Sequence, residues 1–165
     1  VGVFESNSIL RAVARSASKK SGLYGEDGYQ ASRIDSFLDA DLVFAREAQV
    51  YLLGIDKISE EGYQRMSAAY EFYLSGIEAT LSDNEYLAGN SLTIADISFV
   101  CDFAQFLREG HYEEQLAGQG VSLISEGGRE EYPRAYEHML ELNARPEFSE
   151  VMGSYLNWYR RKLEG

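Results

Sequence analysis

The sequence predicts an all-α domain, and three observations carry this prediction. Apolar residues, which make up 45% of the 165-residue chain, recur mostly at helical spacing, and the alternation typical of a strand is confined to residues 1–4. The chain contains only two prolines, so little interrupts long helices. A complete helix-start signal at Thr93 precedes an apolar run, which indicates a helix buried on nearly every side.

The first half of the chain predicts a short helix followed by two long ones. The short helix runs from Ser6 to about Ala17, and the polar, glycine-containing residues 18–27 separate it from a helix over about residues 29–53. The next helix opens at Ser59, and the two long helices should pair antiparallel. The expected core residues are Ile34, Leu38, Leu42, Ala45, Gln49 and Leu52 on the second helix, flanked by Phe37, Phe44 and Tyr51, and Met66, Tyr70, Leu74, Ile77 and Leu81 on the third.

The fourth helix has the most fully specified start. Thr93 is predicted to be its N-cap, and Asp96 answers it from position N3 in a carboxylate version of the capping box. Leu92 and Ile97 stand where a hydrophobic staple would fix the incoming chain. Other helices should surround this helix. Its polar stripe, which either a solvated face or a cleft would explain, consists of Ser98, Asp102, Gln105 and Glu109.

The remainder of the chain predicts a connection and two closing helices. Several glycines between residues 110 and 128 indicate a connection with at most a short helix. A helix is expected over about residues 130–143. Pro146 should occupy the first position of the last helix, where its missing N–H has no intrahelical partner to lose.

Composition restricts the partners and the compartment. The formal net charge of -12 disfavours nucleic acid and anionic membranes, because affinity for both depends on lysine and arginine. Cys101 is the single cysteine, which fits a reducing compartment, so we expect a cytoplasmic protein. Its apolar neighbours indicate an inert thiol. His111 and His138 are far apart in the sequence and no metal-ligand spacing is present, so no metal site is expected.

Three stretches together resemble the glutathione transferase superfamily. Residues 86–97, YLAGNSLTIADI, precede the apolar helix in the order found at the central helix of that superfamily's helical C-terminal domain. Residues 3–9, VFESNSI, resemble its junction of strand, Glu-Ser and helix, and residues 22–25, GLYG, resemble its interdomain linker. The three stretches occur in the right order, which makes the combination more specific than any one of them.

The resemblance implies a division of the chain into three parts. Residues 1–20 would be the last strand and helix of a thioredoxin-like domain, residues 21–28 the linker, and residues 29–165 the helical C-terminal domain. In the superfamily, the thioredoxin-like domain also carries the Ser, Cys or Tyr that activates the glutathione thiol. That residue would precede Val1, so we expect no catalytic residue in this chain, and we expect either a longer protein or a separate partner lobe.

Glu5 and Ser6 are the candidate binding residues. A helix N-terminus presents unpaired N–H groups and a partial positive charge, so a ligand carboxylate can dock at Ser6 while the Glu5 carboxylate takes an ammonium group. The γ-glutamyl end of glutathione offers both groups, and the resemblance assigns these two residues to it. On pattern alone, Ser6 is an ordinary N-cap and Glu5 a solvated residue.

Phe44 is a further candidate, as part of a pocket for an apolar electrophile on the long second helix. Small-molecule sites are mostly apolar and concave, and the helix carries several aromatic residues. Core packing is the alternative, because aromatic residues at helical spacing usually fill interiors.

The resemblance implies conjugation of the glutathione thiolate to an electrophile once a thioredoxin-like lobe is supplied. Glutathione would be the co-substrate, and the complete protein would be a homodimer. The competing function is a noncatalytic protein-interaction module, because helical domains of this superfamily also occur in translation elongation factor 1 gamma subunits and in aminoacyl-tRNA synthetase complexes. Residues 4–7, FESN, and 23–25, LYG, resemble the elongation-factor type at least as closely.

Overall fold

The computed structural model describes residues 2–17 and 21–164, apart from the side chains of residues 155, 158, 160 and 162–164. Over these ranges the regular structure is helical, which confirms the all-α prediction. The helices are α1 (Ser6–Ser16), α2 (Gly28–Leu53), α3 (Glu60–Leu81), α4 (Ile94–Phe106), α5 (Glu113–Gly118), α6 (Gly128–Glu131), α7 (Pro133–Ala144) and α8 (Pro146–Glu164), with 3₁₀ turns at Ile55–Lys57 and Leu107–Tyr112.

The strand predicted over residues 1–4 is not formed in the part of it that the structure describes. Residues 2–4 adopt no regular structure, and Val1 lies outside the described residues. A strand needs a neighbouring strand to satisfy its backbone hydrogen bonds, and the described residues contain none. The side chains of Val3 and Phe4 are instead 54% and 80% exposed.

Helix α4 lies at the centre of the bundle, as predicted, and packs against α1, α2, α7 and α8. Its start is the expected capping box of Thr93 and Asp96. The helix buries residues on several sides, including Phe99, Val100 and Phe103. Because the apolar surface is distributed around the whole helix, only a position surrounded by other helices removes it from water.

Helices α2 and α3 pair antiparallel. Tyr73 reaches back to Asp41, whereas Tyr63, earlier on α3, lies near Tyr51, later on α2. The pairing therefore runs in opposite directions along the two helices, and the short 3₁₀ turn between them makes the connection. Ser59 caps α3 as expected, since its Oγ accepts a hydrogen bond from the Gly62 N–H at 3.0 Å.

The buried face of α2 differs from the predicted one beyond Leu38. The sequence indicates a stripe through Leu42 and Gln49, but Gln49 is exposed and Leu42 half-buried. The buried residues of the helix are Ile34, Leu38, Asp41, Phe44, Ala48 and Tyr51. The two aromatic rings take the core because they bury more apolar area than the residues beside them, and Asp41 is held there by hydrogen bonds.

A break divides the helix that was predicted over residues 130–143. Helix α6 ends at Glu131, Tyr132 adopts φ -123° and ψ 56°, and α7 begins at Pro133. A residue that precedes proline is driven out of the helical region by the proline ring, which accounts for the break.

Among the described helices, none is both long enough and apolar enough to cross a membrane.

Candidate functional site

Glu5 stands in an unusual backbone conformation at the start of α1. Its φ of 70° and ψ of 128° place it in a region that side-chain-bearing residues rarely adopt. The Glu5 carbonyl accepts the first hydrogen bond of the helix, from the Ile9 N–H at 2.9 Å. Local strain of this kind persists only where the surroundings enforce it, and it occurs preferentially at functional sites.

Ser6 is the first residue of α1 and not its N-cap, so the expectation of an ordinary N-cap serine is wrong. The N-cap position belongs to Glu5, whose side chain makes no capping hydrogen bond. The first-turn N–H groups of a helix have no intrahelical partners. Glu5 and Ser6 are both exposed, so this helix start can present N–H groups, a hydroxyl and a carboxylate to one ligand.

Arg46 forms an ion pair with Glu5, and sequence reasoning missed it. Its Nη2 lies 3.5 Å from Glu5 Oε1, and the two side chains are 64% and 47% exposed. An ion pair this exposed contributes little to stability. It does place a guanidinium where it competes with a ligand ammonium for the Glu5 carboxylate.

Phe44 lies in the core, where the alternative of core packing places it. Its side chain is 1% exposed, stacks on Tyr73 at a centroid distance of 4.9 Å, and meets Phe106 edge-on at 5.5 Å. No small molecule can reach it without displacing these rings. The structure therefore does not give Phe44 the place in an acceptor pocket that the sequence suggested.

The opposite face of α2 carries the accessible apolar residues. Val43, Val50 and Leu53 are 59%, 61% and 82% exposed, and with Arg46 they follow one another at intervals of three, four and three residues. We call Val43, Arg46, Val50 and Leu53 the outer stripe of α2. Because Arg46 contacts Glu5, the outer stripe adjoins the start of α1. In the sequence, the outer stripe could have been found from its two valines, which are seven residues apart and lie off the stripe assigned to the core.

The predicted polar stripe is solvated only in part, because Gln105 is exposed and Asp102 half-buried, whereas the two residues at its ends are buried. Ser98 is 3% exposed and Glu109 is fully buried. The Glu109 carboxylate accepts hydrogen bonds from the Tyr51 hydroxyl at 3.0 Å and from the N–H groups of Ile124 and Ser125 at 3.2 and 2.6 Å. Burial raises the pKa of this carboxyl, while the N–H donors oppose that rise. Glu109 therefore anchors the loop before α6 to the core.

The surroundings of Cys101 and His138 indicate structural roles for both side chains. Burial, with a smaller contribution from Asp102, raises the pKa of the Cys101 thiol to about 11, so the thiol stays protonated near neutral pH and is a weak nucleophile. His138 Nε2 lies 3.0 Å from Asp96 Oδ1 and is buried. Among the described residues, no group of three or more His, Cys, Asp or Glu side chains is placed to hold a metal ion.

The bundle and its first helix define a class of protein. A capped central helix enclosed by other helices, preceded by a helix that starts at an exposed Glu-Ser pair, is the architecture of a glutathione transferase-type helical domain. The chain belongs to the family described as "Glutathione S-transferase, C-terminal domain", whose model matches residues 34–146.

The chain is similar to three curated elongation factor 1-gamma proteins. The chain is 28% identical over 156 residues to elongation factor 1-gamma 1 of Oryza sativa subsp. japonica, and the alignment covers 92% of this chain and 34% of that protein. It is 26% identical over 159 residues to elongation factor 1-gamma 2 of the same plant and 28% identical over 156 residues to elongation factor 1-gamma of Trypanosoma cruzi, again with 92% and 34% covered. The chain thus spans about a third of the length of these relatives.

Proposed function

We propose that this chain is a noncatalytic protein-interaction module of the elongation factor 1 gamma type. The observation that carries the proposal is the similarity to elongation factor 1-gamma proteins of a plant and a trypanosome over 92% of the chain. The site geometry agrees with it, since Phe44 is enclosed in the core and does not line an accessible pocket for an electrophile. Work in translation would place the protein in the cytosol, the compartment expected from its single cysteine.

In this proposal the partners are other elongation factor 1 subunits, and the outer stripe of α2, together with Phe4, supplies the surface that contacts them. Phe4 is 80% exposed and directly precedes Glu5, which contacts Arg46 of the stripe. An apolar stripe with a three-four-three spacing matches the way one helix packs against another. An aromatic side chain and an arginine at the same surface are typical of residues that dominate protein interfaces.

An activity measurement on the complete protein tests the noncatalytic part of the proposal. The protein is incubated with glutathione and 1-chloro-2,4-dinitrobenzene, and conjugate formation is followed against the uncatalysed rate. We expect no acceleration. Saturable turnover that scales with protein concentration would overturn the proposal and favour the enzyme.

Glutathione binding is the second candidate function, and the conformation of Glu5 favours it. A glutamate held at φ 70° beside a helix start is the kind of strained residue that occurs at binding sites, and the unpaired N–H groups of the first turn of α1 directly follow it. In this function Glu5 and Ser6 hold the γ-glutamyl end, and a thioredoxin-like lobe holds the rest of the tripeptide. A homodimer is expected for that complete form.

A further inference from the structure

A buried chain of polar side chains ties α1 to the centre of the bundle. Asn7 Nδ2 donates to the carbonyl of Leu38 on α2 at 2.6 Å, and Asn7 Oδ1 lies 2.9 Å from the Ser98 hydroxyl on α4. The Ser98 hydroxyl also contacts the Asp41 carboxyl on α2. Among its described residues, helix α1 otherwise buries only Ala14 and packs the half-buried Leu10 against the core, so these polar contacts are among the few that hold it in place.

The chain of contacts needs a carboxyl proton. Asp41 is 1% exposed, accepts from the Tyr73 hydroxyl at 2.9 Å and contacts the Ser98 hydroxyl. Asp102 stands one turn after Ser98 on α4, so its carboxyl neighbours that of Asp41. Two neighbouring ionised carboxylates have no donor between them and repel each other, so the pair favours holding one proton. Ser98 adds to the shortage, because its single hydroxyl proton faces acceptors on both Asn7 and Asp41.

The groups around the carboxyl pair come from three helices. Asn7 faces it from α1, Tyr73 from α3, and Ser98 and Cys101 from α4, with the Asp96 carboxylate acting on Tyr73 at longer range. At the outer edge of the α1–α2 contact, Arg11 is engaged by Asp35 and Asp39 at 2.6 and 2.8 Å.

Both carboxyls hold their protons more tightly than ordinary aspartates. Burial, followed by the neighbouring Asp41 carboxyl, raises the pKa of Asp102 to about 8. Burial also raises the pKa of Asp41, although its hydrogen-bond donors oppose the rise.

We propose that Asp41 and Asp102 form a proton-dependent latch that holds α1 against the bundle when the pair is protonated and releases it when both carboxyls are ionised. This inference does not rest on the proposed function. The docked state binds the proton more tightly than the released state, in which the pair is solvated. Docking is therefore strongest at low pH, weakens as pH rises from the ordinary aspartate range, and stops weakening above about pH 8.

Hydrogen exchange of the α1 amides, corrected for intrinsic rates, tests the latch at pH 6, 7 and 8. For one proton released, the opening constant of α1 should rise by up to about tenfold per pH unit in the unmodified protein. Asp102→Asn cannot ionise and keeps a donor toward Asp41, so its opening constant should change less than twofold. The matched control is Asp39→Asn, an exposed carboxyl at the same contact between helices, which should retain the slope of the unmodified protein because Asp102 is intact.

Two outcomes would overturn the proposal. One is a slope in Asp102→Asn equal to that of the unmodified protein. The other needs no variant and applies even if Asp102→Asn fails to fold: an α1 opening constant that changes less than twofold from pH 6 to 8 in the unmodified protein.

Discussion

Asp96 Oδ1 lies 3.0 Å from His138 Nε2 in the interior of the bundle. The residue that caps α4 therefore also joins α4 to α7. The same carboxylate accepts from the Leu87 N–H through Oδ1 and from the Thr93 N–H and hydroxyl through Oδ2, each at 2.9 Å. One side chain thus fixes the start of the central helix, the turn before it and a neighbouring helix.

Asp96→Ala should destabilise the protein by about 3 kcal/mol or more. The substitution leaves the N–H groups of Leu87 and Thr93 buried without acceptors, and each such group costs about 1 to 3 kcal/mol. Denaturant unfolding measures the loss. Asp83→Ala, an exposed aspartate in the turn before the same segment, should stay within about 0.5 kcal/mol of the unmodified protein. Equal unfolding midpoints for the two variants would refute the role assigned to Asp96.

Gly128→Ala should destabilise the protein by about 1 to 3 kcal/mol, the usual range for overpacking. A methyl group there would collide with the Tyr70 hydroxyl and approach the Tyr136 hydroxyl at 2.7 Å. These two hydroxyls are hydrogen-bonded to each other at 2.9 Å inside the core, so neither can move aside freely. Thermal and denaturant unfolding measure the effect, and adding Tyr70→Phe should restore part of the loss.

Gly76→Ala provides the control for that substitution. Gly76 lies within α3, and a Cβ added there would meet no described atom within 4 Å beyond the adjoining backbone of its own helix. Alanine should therefore stabilise the protein by about 0.5 to 1 kcal/mol through its helix propensity. A Gly128→Ala protein as stable as Gly76→Ala would contradict the packing described around Tyr70.

Glu109→Gln should loosen the loop before α6. The amide can offer one carbonyl oxygen where the carboxylate accepts from both the Ile124 and Ser125 N–H groups. One N–H then loses its acceptor, and hydrogen exchange at these two amides should speed up by about tenfold or more. Glu126→Gln, an exposed glutamate in the same loop, should leave their exchange unchanged. Unaltered exchange in Glu109→Gln would show that the loop is held by other contacts.

The sequence predicted what depends on local signals and missed what depends on distant partners. Helix starts depend on residues within one turn of each other, and the structure confirms the starts predicted from Ser59, from Thr93 with Asp96, and from Pro146. The burial of Asp41 and Glu109 could not be predicted in this way, since carboxylates are rarely buried and their donors come from other helices and loops. The shift of the core face of α2 also depends on other helices, because Asp41 is held in the core by hydroxyl groups on α3 and α4.

Ser6→Ala tests the second candidate function. In the complete protein, glutathione affinity should fall by about 1 to 3 kcal/mol, the usual cost of removing a hydrogen bond to a charged group. Isothermal titration calorimetry measures the change. Ser16→Ala, at the opposite end of α1, is the matched control and should bind like the unmodified protein. Equal affinity in all three proteins would remove Ser6 from the glutathione site.

The most direct test of the interaction module is quantitative co-purification of the complete protein from the cells that produce it. The unmodified protein is compared with Val50→Glu on the outer stripe of α2 and with Val151→Glu on α8, a valine that is 72% exposed compared with 61% for Val50. We predict near-stoichiometric recovery of other elongation factor 1 subunits with the unmodified protein and with Val151→Glu, and at least a tenfold loss with Val50→Glu. Recovery of the protein without those subunits, or equal recovery of them with both variants, would contradict the account.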